Sequence, residues 1–198
     1  GKTETSGIDV NLGFKTDQSK DISFQTNVSF TTADNLVKEI ANGDKYIWGA
    51  GYGIPYNNLV RFQEGESPGI FWGYLADGIF QNQSEIDNHA TQPNAQPGDI
   101  RFVDVNGDGV VNADDRTKIG DPFGDFSIGW NLNLNVYNFD LSVTTYGLFG
   151  NDIFRGYERN LNYTNKPVSV LARWTGEGTS NFEPRATFVD SNLSLIHI

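Results

Sequence analysis

The sequence predicts an all-β chain of antiparallel strands drawn from a large transmembrane β-barrel, with long extracellular loops. Three observations carry that expectation. Four segments alternate apolar and polar residues, their polar faces are almost uncharged, and the connections between them run short, long, short, long.

Ile8, Val10, Leu12 and Phe14 interleave with Asp9, Asn11 and Gly13, and Ile22, Phe24, Thr26, Val28 and Phe30 interleave with Ser23, Gln25, Asn27 and Ser29. A turn around Thr16-Asp17-Gln18-Ser19 joins them, so residues 1–33 read as one barrel hairpin. Residues 34–125 follow as a long loop region carrying a distinctive segment, 104–115. Phe126, Ile128, Trp130, Leu132, Leu134 and Val136 then alternate with Ser127, Gly129, Asn131, Asn133 and Asn135. After little more than Tyr137-Asn138, Phe139, Leu141, Val143 and Thr145 do the same, giving a second hairpin over 126–150. Residues 151–192 read as a second long loop region.

Alternation alone also fits a soluble sandwich. The polar face discriminates, because soluble sheets usually carry Lys, Glu and Arg there to keep the surface solvated and the edges unpaired. Here the face is mostly Asn, Ser, Gln, Gly and Thr, and each segment is close to the roughly 9–11 residues a tilted strand needs to cross a bilayer. Phe14, Phe30, Trp130, Tyr137 and Phe149, at or near strand ends, are candidates for interfacial girdles.

Composition removes several alternatives. A net charge of −11 with only 14 scattered Lys and Arg argues against a nucleic-acid partner, and the absence of cysteine removes disulfides, thiolate nucleophiles and Cys-based zinc sites. There is no apolar run long enough for a transmembrane helix, which leaves a barrel open. The chain begins without Met, and residues 193–198, Leu-Ser-Leu-Ile-His-Ile, read like a translated sequencing adapter, so a fragment open at both ends is expected. No nucleophile-histidine arrangement is available, since His89 is the only histidine outside that tail. Glu64 and Glu66 are a possible carboxylate pair, but a Gly/Pro-rich loop makes them solvated surface. No catalytic residue is expected.

The segment Asp104-Val105-Asn106-Gly107-Asp108-Gly109-Val110-Val111-Asn112-Ala113-Asp114-Asp115 has the ligand order of an EF-hand-type calcium loop. Asp104, Asn106 and Asp108 occupy positions 1, 3 and 5, Gly109 permits the turn, Val110 offers its carbonyl, and Asp115 stands where a bidentate Glu is usual. A structural Ca2+ is the expected ion, with no organic cofactor. The preceding Asp99-Val103 alternates like a strand, and at most a short helical turn follows from Asn112 to about Ile119, which does not suit a sensor. The alternative reading is a secreted calcium-stabilised β-sandwich or a dockerin-like binding module. A dockerin needs a second copy of the loop, and this chain has one.

Several stretches, in order, resemble a known family: Gly69-Ile70-Phe71-Trp72-Gly73-Tyr74, Asp77-Gly78-Ile79-Phe80-Gln81, Pro97-Gly98-Asp99-Ile100-Arg101-Phe102, the Asp104 loop, Asp115-Arg116 and Ile119-Gly120-Asp121-Pro122. Phe139-Asp140-Leu141-Ser142, Gly150-Asn151-Asp152-Ile153 and Arg173-Trp174-Thr175 continue the series. The series resembles the carboxy-terminal part of SusC/RagA-type TonB-dependent outer-membrane transporters. The resemblance implies a bacterial outer-membrane barrel that imports oligosaccharides or peptides, with a SusD-like surface lipoprotein over its mouth and TonB acting through an amino-terminal part outside this chain. It also implies that the Asp104 loop clips an extracellular loop.

Overall fold

A computed structural model describes residues 1–17, 21–49, 58–154 and 168–187. The adapter-like tail at 193–198 lies outside them, as do Gln18 and Ser19 of the first expected turn. In chain order the strands are β1 (Lys2–Lys15), β2 (Ile22–Glu39), β3 (Tyr46–Trp48), β4 (Val60–Gln63), β5 (Ile70–Tyr74) and β6 (Ala76–Ile79). A short helix α1 (Gln83–Asp87) precedes β7 (Ile100–Phe102), β8 (Arg116–Gly120), β9 (Phe126–Val136) and β10 (Phe139–Phe149). Packing divides the described residues into two compact units. One spans Gly1–Ile47, Phe62–Gly69 and Asp121–Asp152 and so contains β1, β2, β9 and β10; the other spans Trp48–Arg61, Ile70–Gly120 and the described residues from Ile153 on.

The first unit is a four-stranded antiparallel sheet in the order β1-β2-β9-β10. Both expected hairpins form, and β2 pairs with β9, so they are neighbours in one sheet. The register keeps each face pure. Leu12 lies opposite Val28, Val28 opposite Trp130 and Trp130 opposite Thr145, while on the other face Asn27 lies opposite Asn131 and Asn131 opposite Thr144. A slip of one residue would have mixed the faces. The polar face is tied by side-chain bonds that need no charge: Thr144 Oγ1 donates to Asn131 Oδ1 at 2.8 Å and Ser142 Oγ to Asn133 Oδ1 at 2.8 Å.

The apolar face is open among the described residues: Ile8 is 64% exposed and Leu12 68%. A sandwich would have buried these side chains against a second sheet. Two aromatic levels bound this face. Phe30, Phe126 and Phe149 form a continuous stack at one end, with ring centroids 5.7 and 5.0 Å apart, and Phe14 and Phe24 meet at 5.4 Å near the other. Trp130 departs from the girdle expectation, because it sits mid-strand, opposite Val28, with its indole N–H donated to Thr26 Oγ1. Along β9, ten steps of roughly 3.4 Å at a tilt of about 40° rise about 26 Å, close to the apolar band of an outer-membrane barrel.

In the second unit β5 pairs with β8 and, through Phe71 and Ile70, with Val60 and Arg61 of β4; β6 and β7 form a separate ribbon. Buried apolar residues hold it together, among them Ile70, Phe71, Ile79, Phe80, Ile100, Phe102 and Val111. Trp48 and Trp72, read from sequence as loop residues, lie on β3 and β5, Trp72 through its pairing with Lys118 of β8, and Arg61 approaches both rings. Its guanidinium sits 3.7 Å over the Trp72 ring and 5.6 Å from that of Trp48, a cation–π arrangement that favours holding both rings on strands.

Candidate metal loop and the module that carries it

Segment 104–115 follows β7 directly, as its strand-like lead-in requires. Gly107 and Gly109 adopt φ of +75° and +85°, the left-handed region that a side chain at position 6 would resist, so the turn assigned to Gly109 is formed. Each expected ligand side chain accepts backbone N–H groups of the loop. Asp104 takes those of Gly107 and Gly109 on its two oxygens, Asn106 Oδ1 that of Asp108, and Asp108 Oδ1 that of Val110. A carboxylate oxygen carrying one such bond retains a lone pair for an ion.

Asp115 is fully buried. Its Oδ1 accepts from Val105 and Asn106 and its Oδ2 from Asn112, and with Asn112 it forms a capping box around the 3-10 turn Ala113–Asp115. The Asn112 N–H, with lesser help from those of Asn106 and Val105 and from the Asp104 side chain, holds its carboxyl below the usual carboxylate range against the opposing effect of burial. The helical turn stops there and does not reach Ile119, because Arg116 starts β8 opposite Tyr74.

The fit to calcium is therefore partial. The backbone wrap and the ligand order are present, yet among the described residues no three acidic or histidine side chains converge as a ready cage. Protonating Asp115 removes its charge from the N–H cap, and since its pKa is lowered in the fold, that stabilisation is present above the unfolded carboxylate pKa and is lost as pH falls through the lower folded one. Without added calcium, Asp115→Asn is expected to lower the protection of the Val105, Asn106 and Asn112 amides at neutral pH, and acid should lower the same protection in the wild type once the slower intrinsic exchange at low pH is divided out. Hydrogen-exchange NMR reads both.

The loop is tied to the rest of its unit. Val111 joins Ile100 and Phe102 in one buried cluster, with Tyr74 and Ala90 packed against it, and Thr91 bonds both Gly109 O and the Val111 N–H. Gln92 locks β7 from outside the strand, donating to Ile100 O and accepting from the Phe102 N–H.

Segment 174–185 is a strap over β6 and the residues before β7, and sequence reasoning missed it. Arg185 pairs with buried Asp99 at 2.7 Å, its backbone N–H bonds Gly98 O, and Trp174 donates to Gln81 Oε1. Gln81 Nε2 reaches Ser180 O, and Asn181 Oδ1 receives the Ile79 N–H. At Gly98, where φ is +91°, a Cβ would lie 2.5 Å from the Trp174 ring, so only glycine admits the indole. Three stretches of the resemblance series, around Gly78, Gly98 and Trp174, are thus parts of one packed structure. The sequence signal was the pair of glycines beside Asp77 and Asp99.

The remaining candidates have structural partners. Glu64 Oε1 accepts the Ile40 N–H, and His89 meets Phe80 edge-on at 5.2 Å with Nδ1 2.9 Å from Ala90 O.

No family model matches the chain. TonB-dependent receptor P3 of Formosa agariphila is 26% identical over 205 residues, covering 98% of this chain and 20% of that protein. TonB-dependent receptor SusC of Bacteroides thetaiotaomicron is 25% identical over 162 residues, covering 81% of this chain and 15% of its own length. The solved RagAB peptide transporter has the same fold over 92% of this chain and 20% of the transporter chain, with a TM-score of 0.64 at 17% identity. The chain spans about a fifth or less of these relatives. Sequence relatives along nearly all of its length, together with the shared barrel fold, make this chain similar to a stretch of the β-barrel of SusC/RagA-type TonB-dependent receptors.

Proposed function

We propose that the protein to which these strands belong is an outer-membrane importer of oligosaccharides, with peptides as the second substrate class, powered through TonB and lidded by a SusD-like surface lipoprotein. The observation that carries this reading is the sheet β1-β2-β9-β10, whose open apolar face, about 26 Å tall, suits contact with lipid and whose mostly uncharged amide and hydroxyl face suits a watery lumen. The peptide alternative is kept because the RagAB neighbour is described as a peptide transporter. Uptake of a labelled oligosaccharide by cells carrying the receptor is the test: it should stop when the proton gradient is collapsed. Uptake that continues would defeat energy coupling, and recovery of the native protein in a salt-washed soluble fraction would defeat the membrane assignment.

For the 104–115 loop we propose a structural calcium ion held by Asp104, Asn106, Asp108, the Val110 carbonyl and Asp115. When bound, the ion offsets the mutual repulsion of the loop carboxylates and stiffens the segment. Calorimetric titration should give a binding heat that Asp108→Ala abolishes. Equal heats for the two proteins would refute the site.

A further inference from the structure

We propose that the cavity between the strap and the β6–β7 ribbon binds one neutral sugar residue, with Arg101, Glu85 and Asn181 as its hydrogen-bonding groups. The cavity measures about 330 Å³, the lower end of the range for small-ligand sites and equivalent to about ten waters. It lies wholly within the second unit. Ile79 supplies an apolar floor, Gln81 and Ser180 are walls, and the remaining lining is polar.

The walls are fixed before any ligand arrives. Both ends of the Gln81 amide are engaged, by Ile79 O and Ser180 O on one side and by the Trp174 indole and Gly178 N–H on the other. Glu85 Oε2 accepts the Gln81 N–H, Asn181 Oδ1 the Ile79 N–H, and Arg101 Nη2 bonds Asp77 Oδ2 at 3.1 Å. These bonds orient the three side chains and leave hydrogen-bonding groups unused on each, the buried Arg101 Nε among them. Arg101 Nη1 stands 3.7 Å from Glu85 Oε2, beyond hydrogen-bond range, and neither Glu85 Oε1 nor Asn181 Nδ2 has a hydrogen bond among the described residues.

The cavity thus presents a carboxylate acceptor beside guanidinium and amide donors. That mixture suits adjacent hydroxyl groups, each of which donates and accepts. It does not suit an anion, because Asp77 and Glu85 outnumber Arg101. The inference rests on the importer reading for the source of the sugar, the end residue of an incoming glycan, but binding itself needs no transport.

The test is a 15N spectrum of the complete chain in detergent micelles, following the Trp174 indole N–H, which bonds the cavity wall. Neutral di- and trisaccharides are added singly, with tri-alanine as the contrast. At least one saccharide should shift the Trp174 signal, and Arg101→Gln should weaken that binding about tenfold or more, the cost of one hydrogen bond to a charged group. The Trp48 and Trp72 signals report folding. Should they move in Arg101→Gln, Glu85→Gln takes its place, since it keeps the side-chain shape. No shift from any saccharide, equal binding by the variant, or an equal shift from tri-alanine each overturns the site. All three would leave energy-coupled uptake intact if the importer reading is right, so the two ideas fail separately.

Discussion

Leu132→Arg should destabilise the barrel by about 2–4 kcal/mol in lipid, whereas Asn131→Arg, one residue earlier on the same strand, should change stability by no more than about 0.5 kcal/mol. Leu132 lies near the middle of β9, opposite Thr26 on one side and Val143 on the other, on the face that carries Ile8, Leu12 and Trp130. An arginine there meets hydrocarbon, with no water for its guanidinium near the midplane. Asn131 points the other way. It lies opposite Asn27 and Thr144 on the polar face, and replacing it removes one exposed bond from Thr144 while the new charge stays hydrated. Urea titration of the folded barrel in phosphocholine vesicles measures both. A soluble sheet predicts two mild and similar effects at these half-exposed and exposed positions, so equal costs would remove the membrane assignment.

That contrast also shows what the sequence could and could not say. Face assignment was legible because side-chain direction in a strand has period 2 and needs no partner to read. The neighbouring of β2 and β9 was not, since their pairing bridges a long insertion and no local signal names a partner. The run of β2 to Glu39 was hidden for a related reason: Thr31, Thr32, Ala33, Asp34 and Asn35 give no alternation, and from Thr32 on it is pairing with β1 that makes them a strand. In the 104–115 loop, spacing correctly placed the Gly109 turn. It did not reveal that Asp115 faces three backbone N–H groups, although Asn112-Ala113-Asp114-Asp115 has the form of a capping box. A ligand pattern and a cap use the same residues, and only the fold shows which hydrogen bonds form.

Arg185→Met is expected to cost the second unit about 3–5 kcal/mol, the scale for breaking a buried ion pair from one side. Asp99 is 1% exposed, and Arg185 reaches both of its oxygens, at 2.7 and 3.3 Å. Methionine keeps much of the aliphatic stem but removes the cation, so the carboxylate stays buried with the Gln96 N–H and less compensation for its lost hydration. The double replacement Asp99→Asn with Arg185→Met should recover part of the loss, because the buried charge is then gone. The effect should be local as well as large. Releasing Arg185 frees the end of the strap, so Trp174 loses its seat over Gly98 and its indole bond to Gln81. Limited proteolysis should then cut between Gly176 and Asn181 under conditions that leave the wild type whole, while a β9–β10 hairpin held by its own ladder stays resistant. If cleavage and urea midpoint match the wild type, the pair contributes nothing net and the strap is held by its other bonds, among them those of Trp174, Gln81 and Asn181.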